Sequence, residues 1–371
     1  MDDSIPPDPS AFPPASTLIP ASTSDGYPDR STGLQIFGVI QIILGALVAL
    51  FIPMVLLGAV MSRKTLGTAM PMGTYLMACL TYSALAIVLV TLGIGSIRAR
   101  RWAWALTLIL AWFWLIVGVL ATVFLTAVLP SSFVVGLRRA ATANPGAGNL
   151  PIGVTAVILT FVIVLVAVFL VAIPLALVLF YRRKDVEATC KHRDPVERWT
   201  DRCPLPVLAA SLIFGGAVPY YLLLSFTTPL VPFFGKYLTG VAGAIGCLVL
   251  AAVDGFLAVW FFRVRRLGWW VGMAWVVLRT ISAAITFGRG NLLEAYSHLG
   301  WKPAQIEAMS SSPALHGGLV LWWSLLYLLV ILGYMVGIKR YFQVAPVEVA
   351  PRLDADPAPP AGGSGSGISQ R

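Results

Sequence analysis

The sequence predicts an all-α, polytopic integral membrane protein with eight transmembrane helices, arranged as two tandem, parallel four-helix units. Three observations lead to this fold class. First, 58% of the 371 residues are hydrophobic and 11% are charged, whereas soluble domains average about 25% charged residues. Second, no acidic residue occurs between Asp29 and Asp185. Third, long apolar runs alternate with short basic segments along most of the chain.

Each apolar run is long enough for a helix that crosses a bilayer. One crossing needs about 20 apolar residues, and a helix pairs every backbone N–H and C=O group without help from water. The runs are also too long and unbroken for the strands of a membrane barrel, which alternate in hydrophobicity over about ten residues. The predicted spans cover residues 34–60, 72–96, 103–129, 152–180, 205–231, 238–262, 268–287 and 317–338.

The composition along the chain predicts the domain boundaries. Residues 33–184 form the first four-helix unit and residues 205–343 the second, with a charged inter-unit loop at 185–204. Residues 1–32 are rich in Pro and Asp, and residues 344–371 are rich in Pro, Gly and Ser. Neither tail has enough apolar side chains to bury a core, so both are predicted to be disordered.

The two units look like an internal repeat. Arg98–Trp104 reads RARRWAW and introduces the third span, and Arg263–Trp269 reads RVRRLGW and introduces the seventh. The order of helices, basic turns and long loops also agrees between the halves. With four crossings in each unit, both units have the same orientation, as in a parallel repeat. The alternative is chance, because Arg and Trp both suit the membrane interface at a helix start.

The basic residues predict the orientation. Of the 26 Lys and Arg residues, 18 lie in the tails and even-numbered loops, 7 lie in the odd-numbered loops, and Arg279 lies within a span. The positive-inside rule then places both termini in the cytoplasm. The net charge of +10 fits contact with anionic lipid at the inner leaflet, and no basic stretch stands apart for nucleic acid. We expect a multi-pass plasma-membrane protein, typical of a bacterial inner membrane.

The odd-numbered loops include two long ones. Residues 130–151 are rich in Ser, Gly, Asn and Pro, and residues 288–316 are partly amphipathic. The second loop is predicted to form short helices, either on the outer membrane surface or as a lid packed over the bundle. Its apolar residues on one helical face are Leu292, Leu293, Tyr296 and Leu299.

Two charged residues lie within predicted spans. Asp254 is in the sixth span and Arg279 in the seventh, at similar depths on adjacent antiparallel helices. We therefore expect an intramembrane charge pair, because an unpaired charge in the hydrocarbon region costs several kcal/mol. It is either a structural ion pair that fixes helix register or a site for a substrate or ion. The counterparts in the first unit are Leu89 and Trp114.

The inter-unit loop carries a candidate thiol or metal site at Cys190, His192 and Cys203. A structural zinc site needs a fourth ligand, and the paired Cys motif of such sites does not occur. A disulfide is disfavoured in the cytoplasm. The preferred interpretation is an ordered linker, a salt-bridged hairpin with Trp199 wedged against the bundle, which could also serve as a docking surface for another protein.

Several chemistries lack their sequence signals. No lysine lies within a predicted span, so no Schiff base can form there. The three histidines, at positions 192, 298 and 316, lie outside the span interiors, which disfavours intramembrane haem. The hydrolase and protease motifs and the phosphate-binding Gly-rich loop do not occur in the sequence. We expect no cofactor and no resident metal. The lack of these signals favours a protein that is not an enzyme.

The sequence favours the first of three functions, an accessory, scaffold or assembly subunit of a membrane complex, whose partners are other membrane subunits or copies of itself. The second is a transporter or channel for a small solute, with Asp254 and Arg279 at an intramembrane site. The third is an enzyme acting on lipid, with Glu294, His298 and Glu307 in the outer loop.

Overall fold

The computed structural model describes residues 29–66, 72–143, 152–289, 292–298, 301, 303, 306–307 and 317–343. Within these ranges, eight helices are long and apolar enough to cross a membrane, in agreement with the eight predicted spans. At most 28% of the most apolar stretch of any of these helices is buried inside the protein. Their large apolar side chains therefore face outward. Residues 1–28 and 344–371 of the predicted disordered tails lie outside the described residues.

The first half of the chain contains two packed helix pairs. Its elements are α1 (Ser31–Leu66), α2 (Met72–Ile97), α3 (Arg101–Ala143), α4 (Ile152–Ala167), a π-helical turn (Val168–Ala172) and α5 (Ile173–Tyr181). Helix α1 packs along α2, and α3 packs along the continuous segment of α4, the π turn and α5. The sequence did not predict the π turn, because it lies within an unbroken run of apolar residues.

The second half of the chain also contains two packed helix pairs, together with a small sheet. Its elements, after α6 (Lys184–Arg193), are α7 (Leu205–Thr227), β1 (Leu230–Phe233), β2 (Lys236–Thr239), α8 (Gly240–Phe262), α9 (Arg266–Arg289), α10 (Leu292–His298) and α11 (Gly317–Ile338). Helix α7 packs along α8, α9 packs along α11, and the two strands pack against α8 and α9.

The β-hairpin corrects the end of the predicted fifth span and adds two short strands to the predominantly helical fold. The helix predicted over residues 205–231 ends at Thr227, and β1 pairs antiparallel with β2. Pro229 and Pro232 explain the ending, because proline lacks the N–H a helix needs and disfavours helix at the residue before it. Phe234 and Gly235 both have positive φ, 42° and 93°, as a tight two-residue hairpin turn requires.

The third helix also differs from the prediction. Residues 130–151 were expected to form a loop, but α3 continues to Ala143. Only Pro130 and Gly136 interrupt the helix-compatible residues of this extension. The predicted outer loop at 288–316 does contain a short helix, α10. The rest of its predicted amphipathic face, including Leu299, lies outside the described residues.

The turns that connect α2 to α3 and α8 to α9 have the same geometry. Ala99 and Val264 occupy equivalent positions and have φ values of 49° and 52°. Positive φ is uncommon for residues with a Cβ and costly for a β-branched one. Just after each turn, an indole N–H donates to a backbone carbonyl of the last helix of its unit: Trp104 to Tyr181 at 2.9 Å and Trp269 to Met335 at 2.8 Å.

The inter-unit segment is helical, which corrects the predicted salt-bridged hairpin. It forms α6 followed by a 3₁₀ turn at Trp199–Arg202. Asp185 and Glu187 lie in the first turn of α6, and its last turn is basic, so the charges complement the helix dipole. Trp199 lies near Phe262, with ring centroids 6.3 Å apart, but it is 44% exposed and is therefore not wedged into the bundle.

Asp194 ties this segment to the start of α3. Its carboxylate is 2% exposed and lies 3.2 Å from the Arg198 guanidinium and 3.6 Å from that of Arg100. Desolvation raises the pKa of Asp194, but hydrogen bonds from Arg198 and the Arg101 backbone, with the nearby positive charges, outweigh it and leave the pKa below its usual value. The buried carboxylate therefore stays ionised.

We expect Asp194→Asn to lower the stability of the protein by about 1 kcal/mol at pH 7, because charged hydrogen bonds are lost while the arginine partners stay partly solvated. A carboxylate with a lowered folded pKa contributes stability above its unfolded pKa of about 3.9, and this contribution is lost as the pH falls through the folded pKa. Thermal melts from pH 7 to pH 3 should therefore converge for the two proteins at acidic pH. Parallel curves would contradict this role.

Candidate functional site

The structure pairs the two charged residues of the second unit. A guanidinium nitrogen of Arg279 on α9 lies 3.1 Å from one carboxylate oxygen of Asp254 on α8 and 3.4 Å from the other. The Asp254 side chain is fully buried, whereas the Arg279 side chain is 36% exposed. Arg279 therefore screens the carboxylate and itself faces accessible space.

Two aromatic residues complete the hydrogen bonding of the pair. The indole N–H of Trp275, one turn before Arg279 on α9, donates to Asp254 at 2.8 Å. The second terminal nitrogen of Arg279 donates to the hydroxyl of Tyr221 on α7 at 2.8 Å, and the guanidinium also lies over the Tyr221 ring. Three helices thus supply one polar cluster, defined here as the Asp254 cluster: Tyr221, Asp254, Trp275 and Arg279.

The corresponding place in the first unit is apolar. Leu89 is buried in a cluster with Leu44, Val48 and Ala86, and Leu110 and Trp114 pack against that cluster. Leu89, Leu110 and Trp114 correspond to Asp254, Trp275 and Arg279, in that order, when the two basic turns are aligned. An apolar side chain therefore occupies each of these positions in the first half of the chain.

A cavity of about 890 Å³ lies beside the Asp254 cluster. All four long helices of the second unit and the β-hairpin contribute to its walls, including Phe214, Ile245, Ala283 and Tyr327. Most of the lining is apolar, and its polar groups include all four residues of the Asp254 cluster. Pockets for small molecules have this character, a largely apolar wall with a few placed polar groups.

The β-hairpin lines part of the cavity and is fixed to α9. The backbone N–H of Phe234 donates to the Ser282 hydroxyl at 3.0 Å, and that of Gly235 donates to the Thr286 hydroxyl at 2.9 Å. Residue Gly243 of α8 lets the chain before β1 approach closely, since a Cβ there would lie 2.5 Å from the Pro229 carbonyl oxygen. The hairpin is therefore a fixed wall of the cavity.

The predicted thiol or metal site is not assembled. Cys190 is buried in a cluster of the first unit with Tyr181 and Val186, whereas Cys203 is buried in a cluster of the second unit with Val207. Both thiols are free, and burial raises their pKa to about 12 and about 11. His192 lies on α6, and within the described ranges no group of three His, Cys, Asp or Glu side chains could hold a metal.

Two of the three residues named for the lipid-enzyme hypothesis lie side by side. Glu294 and His298 lie one turn apart on α10, with a carboxylate oxygen 3.7 Å from the imidazole. Glu307 has an exposed side chain. His298 also lies beside the ring of Tyr237 on β2. This arrangement is an exposed i,i+4 pair of the kind that commonly decorates a helix surface.

Sequence reasoning located the charge pair but missed its aromatic partners and the cavity. Tyr221 and Trp275 lie within apolar spans of a chain with 12 Trp and 11 Tyr residues, so neither stands out. The sequence contained one signal for Trp275 as a partner of the charge pair. Trp275 precedes Arg279 by four residues, which places both side chains on one helical face.

The comparisons with known proteins return no similar protein: no family model matches the chain, and neither the curated proteins nor the solved structures contain a match.

Proposed function

We propose that this chain is a multi-pass membrane protein whose second unit takes up a small solute in the cavity beside the Asp254 cluster, as a transporter or channel does. One observation carries the proposal: the cavity lies directly beside the ion pair of Asp254 and Arg279. The first unit has apolar residues at the positions of this pair. Ionisable groups within a membrane mark solute pathways.

The same proposal includes the topology. Eight apolar helices with mostly outward-facing apolar side chains support insertion into a bilayer. The excess of basic residues in the tails and even-numbered loops supports cytoplasmic termini, and the composition fits a bacterial inner membrane. The equal offset and equal geometry of the Ala99 and Val264 turns support an origin of the two units by duplication, followed by specialisation of the second.

Thiol labelling tests the cavity directly. In a chain whose four native cysteines are replaced by alanine, Ala283→Cys places a thiol in the cavity wall, and Ile281→Cys places one on the outward face of the same helix. N-ethylmaleimide reacts with thiolates, so we expect the thiol at position 283, near Arg279 and open to solute, to react severalfold faster. Equal rates in lipid nanodiscs would overturn the proposal.

The accessory-subunit interpretation makes a different prediction. It requires stoichiometric co-purification with other membrane subunits in mild detergent, and it gives the cavity no role. A protein that purifies alone and labels selectively at position 283 favours solute uptake. A stable complex with equal labelling of both positions favours the accessory function.

A further inference from the structure

The Asp254 cluster has hydrogen-bond donors left over on the cavity side. An arginine has five N–H groups, and those of Arg279 contact both oxygens of Asp254 and the Tyr221 hydroxyl. Among the described residues, its Nε–H and one further N–H have no acceptor. Tyr221 accepts from Arg279 and donates to none of the described residues, so its own proton is also available.

The hydrogen-bond acceptors of the Asp254 carboxylate, by contrast, are not available to a ligand. Both oxygens of Asp254 already receive hydrogen bonds, and the side chain is fully buried behind Arg279. A ligand that enters the cavity therefore meets Arg279 and Tyr221, not the carboxylate. The complementary head group is one that accepts hydrogen bonds.

The charge balance of the site favours a neutral head group. Arg279 and Asp254 neutralise each other at 3.1 Å, so an anion would gain little net attraction. It would also lose its hydration in a largely apolar cavity, which is costly for any uncompensated charge. A cation would lose its hydration in the same way, and an ammonium group would bring only donors to a site whose free groups are donors.

The wall of the cavity that α8 provides fits an apolar chain. Its lining on α8 runs from Ala242 to Asp254, which corresponds to about 18 Å at 1.5 Å per residue. Apart from Asp254, the lining residues of α8 are Ala, Ile, Gly, Val and Leu. This wall offers contact area without hydrogen-bonding groups.

We infer that the cavity binds a neutral amphiphile, an apolar chain whose head group carries a hydrogen-bond-accepting oxygen that receives the free donors of Arg279 and Tyr221. The inference rests on the proposed function and names the class of its solute. Esters, ketones and quinones share this chemistry.

Protection of the thiol at position 283 from N-ethylmaleimide measures this preference. Three probes of equal chain length serve: methyl decanoate, which is neutral with an acceptor; decanoate, which is anionic; and decane, which has no acceptor. We expect methyl decanoate to protect at the lowest concentration. Tyr221→Phe should weaken its protection about three- to tenfold, the effect of one hydrogen bond. Tyr220→Phe, which removes an adjacent hydroxyl outside the cavity lining, should leave it unchanged.

The outcomes separate the ligand class from the function. Stronger protection by decanoate would overturn the neutral class and leave the accessible cavity intact. Equal protection by decane would remove the role of the donors, as would a Tyr221→Phe protein of unchanged melting temperature that is protected as well as its parent. Selective labelling at position 283 without protection by any probe would refute the amphiphile, whereas equal labelling of positions 281 and 283 would refute the proposed function.

Discussion

Replacing Asp254 by alanine is expected to destabilise the protein by about 3 kcal/mol. The change leaves the Arg279 guanidinium without its counter-ion inside the bundle and the Trp275 indole without its acceptor. Removal of one partner of a buried ion pair typically costs about 3–5 kcal/mol. We take the lower end, because the Arg279 side chain is 36% exposed and lines the cavity. Reversible unfolding in mixed micelles would measure the change.

The first unit supplies the matched control. It has Leu89 and Trp114 where the second has Asp254 and Arg279, and both pack in an apolar cluster. We therefore expect the double variant Asp254→Leu/Arg279→Trp to recover most of the stability that either single variant loses, since apolar replacement of a whole ion pair is often neutral or stabilising. Additive losses in the double variant would contradict this expectation.

This cycle distinguishes the two interpretations of the pair that the sequence left open. If the pair only fixes helix register, the double variant is stable and labelling in the cavity is unchanged. If the pair is part of a solute site, the double variant is stable but its cavity no longer favours an acceptor head group over decane. Stability and binding therefore separate in one protein.

The sequence predicted the eight spans well because the signal for each is long and uniform. Helix α2 begins and ends within a residue of the predicted run at 72–96. The predictions failed where an apolar run changed its backbone structure. Leu230 and Val231 are as apolar as a helix interior, and only the surrounding prolines and the Phe234-Gly235 turn redirect the chain into a hairpin.

The site was half predictable for a related reason. A charge in an apolar span stands out by its cost, so Asp254 and Arg279 were found from sequence alone. Tyr221 lies on a third helix, and its role follows only from how α7 packs against α8 and brings it to α9. A cavity is likewise a property of packing between helix pairs and leaves no local mark in the sequence.

The contact between α3 and the π-helical turn supports a second prediction of large effect, in the first unit. A Cβ at Gly118 would overlap the carbonyl oxygen of Leu170, which lies in the π turn at Val168–Ala172. The obstructing atom belongs to the backbone, so no side-chain rotation can relieve the overlap. We expect Gly118→Ala to destabilise the protein by about 3 kcal/mol, the upper end of typical overpacking costs, measured by the same unfolding experiment.

Gly216 on α7 is the matched control for this substitution. A Cβ there would meet no atom within 4 Å, and alanine is preferred over glycine in a helix interior by roughly 0.5–1 kcal/mol. Gly216→Ala should therefore leave stability unchanged or raise it slightly. If Gly118→Ala behaves like Gly216→Ala, α3 does not approach the π turn as closely as described. Because this contact lies in the first unit, its loss should leave selective labelling at position 283 in the second unit intact in the folded protein.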